Sequence, residues 1–344
     1  MNVNPTEMQV DLVDLFDNWL AKECTSDTVR AAEPLGFDPR LWSSFNTLGG
    51  VGIGLPESLG GGGIGLLEWA LVAELLGRHL APIPVLDGIV ASRLLARYSH
   101  DVPDLLASIR DEGTIVGFAS RPAIDGVWRL VPAGRVASAL VGMRGEELLL
   151  VRLGGDVPRS GPKNLGDQPM ADVAVPADTT VLDEGPSARA AFQRSIDEAK
   201  VLVASTLVGM ASKAHEIALD YVKVRKAFGV TLATFQTVAH RLASDVVNFD
   251  GARFLSREAA WAIEAELPNA DSYAAAAFAF CAESAYQGIG NALHVHGGIG
   301  FTAESDIQLY YRRAVAWPMC LGDPRQEFRR VARLVWDREH EQVA

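Results

Sequence analysis

The sequence predicts an α+β protein with a helical N-terminal domain (1–112), a small middle β domain (113–187) and a C-terminal antiparallel helical bundle (188–344). At both ends of the chain, apolar residues recur at three- and four-residue spacings, as they do in amphipathic helices. Between the ends lie short apolar runs separated by Gly, Pro, Asp and Asn, which is typical of strands and turns. Long helical segments with short connections favour an antiparallel bundle for the last part.

The N-terminal domain is predicted to hold three helical stretches. The segment 6–23 places apolar side chains on one face of a helix, namely Met8, Leu12, Leu15, Phe16 and Leu20. A second run, 66–84, is helical until two prolines end it, and a third lies near 86–109. The glycines of 60–65 are interpreted as a flexible loop, because a dinucleotide-binding fingerprint needs a preceding strand.

Strands and then bundle helices are predicted in the rest of the chain. The runs TIVGFAS, ALVGM, ELLLVRL and ADVAVPA predict strands between Thr114 and Leu182. Ser195 and Glu198 form a capping-box pattern ahead of a long apolar run, so a bundle helix is expected to begin there. Further helices are predicted at 234–266, 271–295, 303–316 and 324–340.

Composition narrows the class of partner. The 344 residues carry 31 Lys and Arg against 43 Asp and Glu, a net charge of −12, which argues against nucleic acid or an anionic membrane as the main partner. The N-terminus lacks the features of a signal peptide, and no apolar run is long enough to span a membrane. Cys24, Cys281 and Cys320 lie far apart without metal-ligand spacing, so a reducing, cytoplasmic location is expected.

Two segments carry candidate ligand-binding residues. In 221–245, Arg225 and Lys226 are predicted at the end of a helix, followed by a Gly turn and a new helix with Gln236 near its start. A cation beside free N–H groups at a helix N-terminus is suited to bind a pyrophosphate. Basic residues in the last turn of a helix can instead serve only to stabilise the negative end of the helix dipole. In 291–314, the glycines after His296 let a ligand or another backbone come close. A metal role for these histidines is not expected from their spacing.

Together the two segments resemble the acyl-CoA dehydrogenase family, whose order of domains is also helical, β and helical. The shared motifs are GIGLPESLGGGGIGLLEWALVAELLGRHLAPIP, RKAFG followed by TFQ, and HVHGGIGFT followed by YYRRA. The resemblance implies FAD as cofactor, an acyl-CoA thioester as substrate and an electron-transfer protein as acceptor. It also implies FAD contacts across a subunit interface, made by Arg225, Phe228, Gln236, His294, Gly297 and Gly298.

The sequence departs from the family pattern in two places. The stretch 117–134 lacks the TEPxAGSD-like and WxTN-like segments that hold the flavin ring in the family. The position of the catalytic glutamate in the family's YEGT-like loop is Leu321, and an alternative position for that glutamate is Ala199. We therefore expect the base to be Asp245, which falls on the apolar stripe of Val238, Leu242 and Phe249.

Other interpretations of the acidic residues stay open. Asp245 could instead be a structural residue paired with Arg241 or Arg194, and Glu198 is a rival base. Some short family members seem to recruit an acid one position earlier, where this chain has Ser244.

The resemblance implies a particular kind of family member. The chain is similar to the short subunits that pair with a longer, more complete homologue in α2β2 tetramers. Such tetramers are known mainly from actinobacterial sterol side-chain breakdown. A sterol-derived CoA ester is thus an expected substrate. The alternatives are a catalytically silent scaffold that completes its partner's FAD site, and a homo-oligomeric acyl-CoA dehydrogenase.

Overall fold

The computed structural model describes residues 4–155 and 157–341. Its helices are α1 (Glu7–Glu23), α2 (Ser26–Ala32), α3 (Pro39–Thr47), α4 (Leu66–His79), α5 (Val85–Ala96), α6 (Pro103–Glu112), α7 (Gly185–Val224), α8 (Gln236–Glu264), α9 (Ala270–His296), α10 (Ile307–Ala316) and α11 (Pro324–Glu341). Its strands are β1 (Val116–Ala119), β2 (Val127–Val131), β3 (Ala139–Arg144), β4 (Glu147–Arg152), β5 (Ala171–Ala174), β6 (Thr180–Glu184), β7 (Lys226–Ala227) and β8 (Val230–Thr231). The order of helices, strands and helices is that of the predicted α+β class. Within the described residues, no helix is long and apolar enough to cross a membrane.

The N-terminal helices follow local signals. Thr6 caps α1 in a reciprocal capping box with Gln9, which fixes the start of the first predicted helix. The helix predicted near 86–109 is instead two helices, α5 and α6, and the second begins at Pro103. The Gly loop 60–65 is fastened rather than loose, because its backbone bonds back to Ile53, Leu55 and Pro56.

The middle strands form a four-stranded sheet of order β1-β3-β4-β6 and a separate pair, β2 with β5. β1 pairs with β3 in parallel, whereas β3 with β4 and β4 with β6 are antiparallel. Ala139–Met143 and Leu148–Val151 are buried along their whole length, so both faces of these central strands are covered. The strands lie between Thr114 and Glu184, close to the predicted span, and the predicted domain boundaries remain a prediction.

The capping box predicted at Ser195 is wrong. α7 begins at Gly185, so Ser195 lies inside the helix, where its hydroxyl donates to the carbonyl of Ala191 at 3.1 Å. Glu198 is buried and pairs with Arg93 at 2.9 Å and with Arg194 at 3.4 Å. A sequence that fits a helix start therefore occurs in a helix interior, where tertiary ion pairs explain the acidic residue.

Contacts divide the chain into two compact units. One unit joins the N-terminal segment up to Ser26, the segment Ala70–Ala81 and the chain from Lys200 onward, and it contains the bundle. The other comprises Asp27–Trp69 and Pro82–Ala199, and it contains the sheet. The segment Ala70–Ala81, which is N-terminal in sequence, is thus part of the bundle unit.

Two glycines bring α4 and α7 into backbone contact inside the bundle unit. A Cβ on Gly77 would overlap the carbonyl of Thr206, and a Cβ on Gly209 would overlap the carbonyl of Glu74. Around this crossing, Arg78 forms a bidentate pair with Glu216 at 2.7 and 2.8 Å. Glu74 accepts from Arg253 at 2.8 Å and from Arg257 at 3.1 Å, which ties α8 to α4.

Gly209→Ala should destabilise the fold by about 2–3 kcal/mol, because the added methyl group has no room against the α4 backbone. The matched control is Gly251→Ala in α8, where the nearest heavy atom to an added Cβ lies 3.6 Å away in Phe280. The control should be neutral or gain roughly 0.5–1 kcal/mol from helix propensity. Urea denaturation of both variants checks this, and equal stability of the two would contradict the close crossing.

Candidate functional site

A hairpin stands between the two long helices α7 and α8. β7 and β8 pair antiparallel, with Ala227 opposite Val230, so Phe228 and Gly229 form a two-residue loop. Both loop residues have positive φ, 54° and 87°, as a type I′ turn requires. The Phe228 side chain at the tip is 96% exposed. The loop therefore holds an aromatic ring in the open in a backbone conformation that non-glycine residues rarely adopt.

Arg225 lies at the base of this hairpin, one residue after α7 ends. Its N–H donates to the carbonyl of Tyr221, and its own carbonyl accepts from Leu232 at 2.8 Å. The guanidinium is exposed. Lys226 lies in β7 and not at the end of a helix as predicted, because the chain leaves the helix to form the hairpin. The backbone of Arg225 is thus held by hydrogen bonds, while its cationic side chain is exposed to solvent.

Gln236 is the first residue of α8, a 29-residue helix. The N-cap residue, Phe235, gives no side-chain hydrogen bond to the first turn. An uncapped N-terminus of a long helix offers N–H groups and a partial positive charge to an anion. The arrangement of a cation, an open helix start and an exposed aromatic ring suits a nucleotide diphosphate.

The second predicted segment lies at the end of α9. His294, Gly297 and Gly298 are exposed, and a Cβ on either glycine would meet nothing within 4 Å. Gly297 ends the helix with φ of 62°. The backbone of this turn is therefore open to a molecule from outside the chain.

Stacked rings join the two segments. His296, the last residue of α9, stacks on Tyr221 near the end of α7, with ring centroids 4.3 Å apart and an interplanar angle of 24°. The helix ends that carry Arg225 and Gly297 therefore meet. The structure thus brings Arg225 and Gly297, which are 72 positions apart in the sequence, to one end of the bundle.

Asp245 is buried in the bundle, with an exposed fraction of 4%. Leu242 and Phe249 are buried with it, as the spacing predicts. Its carboxylate accepts from Nδ2 of Asn291 on α9 at 2.8 and 3.1 Å. Burial raises the pKa of Asp245, against the hydrogen bond from Asn291 and the charges of His215 and Arg241.

The alternative prediction that Asp245 forms an ion pair with Arg241 or Arg194 is wrong. Within the described part of the chain, no Arg forms an ion pair with Asp245, and Arg194 pairs with Glu198 instead. The partner is an amide, which does not neutralise a carboxylate. The neighbouring Ser244 is exposed and donates to the carbonyl of His240 at 2.9 Å.

His215 and Asp87 are two titratable residues that sequence reasoning missed. His215 on α7 is buried with its ring edge-on to Phe249 at 5.8 Å, and its Nδ1 has no hydrogen-bond partner among the described residues. Burial lowers the pKa of His215, partly offset by the charge of Asp245. Burial raises the pKa of Asp87, on α5, to about 7. A lone His inside an apolar helical run was the available signal for His215, whereas Asp87 had none.

Comparison with known proteins identifies the family. The family described as acyl-CoA dehydrogenase, N-terminal domain, matches residues 6–101, and acyl-CoA dehydrogenase, C-terminal domain, matches residues 189–340. The chain belongs to the acyl-CoA dehydrogenase family. The predicted family, the α+β fold and the class of FAD-dependent oxidoreductase are thereby confirmed.

Several relatives are similar over nearly the whole chain. The acyl-CoA dehydrogenase IpdE2 of Mycolicibacterium smegmatis is 31% identical over 316 residues, which cover 90% of this chain and 93% of that protein. The ChsE4-ChsE5 complex from Mycobacterium tuberculosis contains a chain that is 25% identical, with a TM-score of 0.87 and coverage of 97% and 99%. A Tcur3481-Tcur3483 steroid ACAD matches at 25% identity and a TM-score of 0.85, with the same coverage.

The residues present fit one half of the FAD that the family binds. Arg225 and the open start of α8 suit the pyrophosphate, the exposed ring of Phe228 suits a flat aromatic group, and the open backbone at Gly297 and Gly298 permits close approach. These groups point away from their own chain's core, as contacts to a cofactor shared between subunits must.

Arg225→Ala should weaken FAD binding by roughly 1.5–3 kcal/mol, because charge-assisted hydrogen bonds to phosphate are lost. Adding Gln236→Ala should weaken it further. Arg129→Ala is the matched control, since Arg129 is an exposed arginine of β2 that pairs with Asp172 of β5. Flavin content per mole of purified protein is the measurement, and an unchanged content in the double variant would remove these residues from the cofactor site.

Proposed function

We propose that this chain is one subunit of a cytoplasmic α2β2 acyl-CoA dehydrogenase, paired with a fuller homologue. The assembly introduces a double bond between the α and β carbons of an acyl-CoA thioester, with a sterol-derived CoA ester as the substrate. An electron-transfer protein then reoxidises the flavin. FAD supplies the hydride acceptor in this reaction, and the residues of this chain bind its nucleotide half and take up the α-proton.

The proposal depends on a group of exposed residues that we call the nucleotide half-site. It consists of Arg225, Phe228, the start of α8 and the open turn at Gly297 and Gly298. Phe228 is almost fully exposed in a positive-φ conformation, beside an exposed Arg225 and an uncapped helix start. Among the described residues, Phe228 has an edge-on ring contact with Phe235 at 6.3 Å, and this contact leaves most of its ring exposed. These exposed features have a use when a second subunit presents a bound nucleotide to them.

A second observation favours a protein partner along α8. One face of this helix carries exposed small and apolar residues at three- and four-residue spacings, namely Ala243, Val247, Gly251 and Phe254. Val247 is 72% exposed. The opposite face of α8 is already buried in the bundle. A helix that is apolar on two sides is typical of one that is covered on both sides in an assembly.

The choice of a heteromeric partner rests on what the chain lacks. The segment 117–134 has neither of the family's two flavin-ring segments, and it folds into the short strands β1 and β2 with a turn between them. The relatives ChsE4-ChsE5 and Tcur3481-Tcur3483 are named as pairs. A homo-oligomer of this chain would then have nucleotide contacts at every site and flavin-ring contacts at none.

Co-expression with a longer homologue that carries the TEPxAGSD-like and WxTN-like segments should give a yellow heterotetramer with two FAD, because only the partner's β domain holds the flavin ring. The chain expressed alone should be colourless or poorly soluble, since the α8 face stays uncovered. Size-exclusion chromatography with the ratio of flavin to protein absorbance measures both. A yellow, active homotetramer with one FAD per chain would refute pairing and leave the homo-oligomeric dehydrogenase.

Asp245 is the base we propose for the α-proton. A carboxylate held in a salt bridge is a weaker base, and among the described residues Asp245 forms no ion pair, whereas Glu198 pairs with Arg93 and Arg194. Burial raises the pKa of Asp245, so its carboxylate binds a proton more strongly than that of an exposed aspartate. Leu321 and Ala199, at the family's two glutamate positions, cannot accept a proton.

Asp245→Asn should lower kcat by roughly 10²-fold or more while flavin content and stability are kept, because an amide can still bond to Asn291 but cannot take a proton. In the wild type, kcat/KM should fall as pH drops through the raised pKa of Asp245, since the protonated form is inactive. Glu198→Gln serves as the rival variant, and rates are followed by steady-state assay with an artificial electron acceptor. Normal turnover of Asp245→Asn would contradict the assignment of Asp245 as the base. The base would then belong to the partner subunit, and this chain would have the scaffold role.

The scaffold role has its own support. Leu321 replaces the loop glutamate, and Asn291 already occupies both oxygens of Asp245. In that case the chain contributes only the nucleotide half-site. The Arg225 and Asp245 variants separate the two roles, because a scaffold loses activity only through loss of flavin.

A further inference from the structure

The stacked rings of Tyr221 and His296 have no assigned role in binding or chemistry. Both belong to helix ends that lead directly into the half-site, four residues before Arg225 and one residue before Gly297. The pair is close and nearly parallel, at 4.3 Å and 24°. Such pairs add free energy beyond the burial of their area, and their geometry is specific.

His296 is held on three sides. It is buried, and its Nδ1 donates to the carbonyl of Ala292 at 2.7 Å, which fixes the ring plane. The Cβ position of Gly300 lies 3.0 Å from the Cβ of His296, so the chain after the turn packs against it. The ring of His296 is therefore a fixed platform at the end of α9.

Tyr221 transmits this position to the hairpin. Its carbonyl accepts from the N–H of Arg225 at 2.9 Å, so the last turn of α7 carries the hairpin base. The hairpin itself pairs only two residues on each strand. A two-stranded element of this size does not fix its own orientation, and an outside contact has to do so.

We propose that the Tyr221–His296 pair is the positioning contact of the nucleotide half-site. It sets Arg225 and Phe228 against the open turn at Gly297, so that both motifs reach the same diphosphate-bearing nucleotide. This inference rests on the proposed function. Its consequence is that cofactor affinity depends on two rings that act through their neighbours.

The test uses FAD titration of the flavin-stripped protein in its native assembly, followed by flavin fluorescence. Tyr221→Leu keeps an apolar side chain but loses the stack, and it should weaken FAD binding by roughly 3- to 10-fold. Tyr221→Phe retains the ring and should bind FAD like the wild type. His296→Phe keeps a ring but loses the hydrogen bond to Ala292, so it should bind FAD more weakly than the wild type and more tightly than His296→Ala.

The matched control is Tyr286→Leu, which removes another ring pair on α9, that of Tyr286 and Tyr311 at 6.1 Å. The control should leave FAD affinity unchanged. Equal losses in Tyr221→Leu and Tyr286→Leu, or wild-type affinity in Tyr221→Leu, would overturn the positioning role. Denaturation of the flavin-free variants shows whether stability alone explains a loss.

Arg225→Ala separates this inference from the proposed function. A loss of affinity in Arg225→Ala without one in Tyr221→Leu rejects only the positioning role. Unchanged affinity in Arg225→Ala rejects the half-site, and the positioning role with it. Weaker binding in both, with rescue by Tyr221→Phe, is the result we expect.

Discussion

The backbone contact between α4 and α7 is the constraint on which the bundle depends. Gly77 and Gly209 are the two positions where a side chain would separate the helices, and each faces a carbonyl group of the other helix. Close approach lets Glu74 reach two arginines of α8, and Arg78 reach Glu216 of α7. The positions of α7 and α8, and hence of the hairpin between them, follow from this contact.

Charge is distributed unevenly over two acids of the bundle unit, the partly buried Glu74 and the buried Asp245. Glu74 lies between two guanidinium groups, so the cost of burying its charge is offset by its partners. Asp245 has an amide and a nearby imidazole, and burial raises its pKa. α8 thus supplies two ion-pairing arginines to Glu74, whereas Asp245 forms no ion pair among the described residues. This difference, and not burial alone, distinguishes a structural acid from one suited to proton transfer.

Sequence periodicity predicted the long helices well, because each has an apolar face that recurs over many turns. α8, α9 and α11 lie within a few residues of the predicted spans. The capping box at Ser195 failed since a local pattern cannot show that the helix has already begun ten residues earlier. α10 begins at Ile307 and not at 303, because the Gly297–Phe301 turn and the bends after it come first.

Motifs located the site residues but not their partners. The hairpin at Lys226–Thr231 was missed, since two-residue strands leave no alternation to detect. The stack of Tyr221 on His296 and the bond from Asn291 to Asp245 join residues 75 and 46 positions apart. No periodicity or spacing rule reaches such distances, so these contacts become visible only in three dimensions.

At position 228, the residue that would best stabilise the fold differs from the residue that the proposed cofactor contact requires. Gly or Asn would adopt its positive φ more readily than Phe, at a saving of about 1 kcal/mol. Random substitution toward those residues would therefore make the isolated subunit more stable while deleting the aromatic tip. A screen that selects only for thermal resistance would drift toward loss of the ring, and position 228 should be held constant when the protein is engineered.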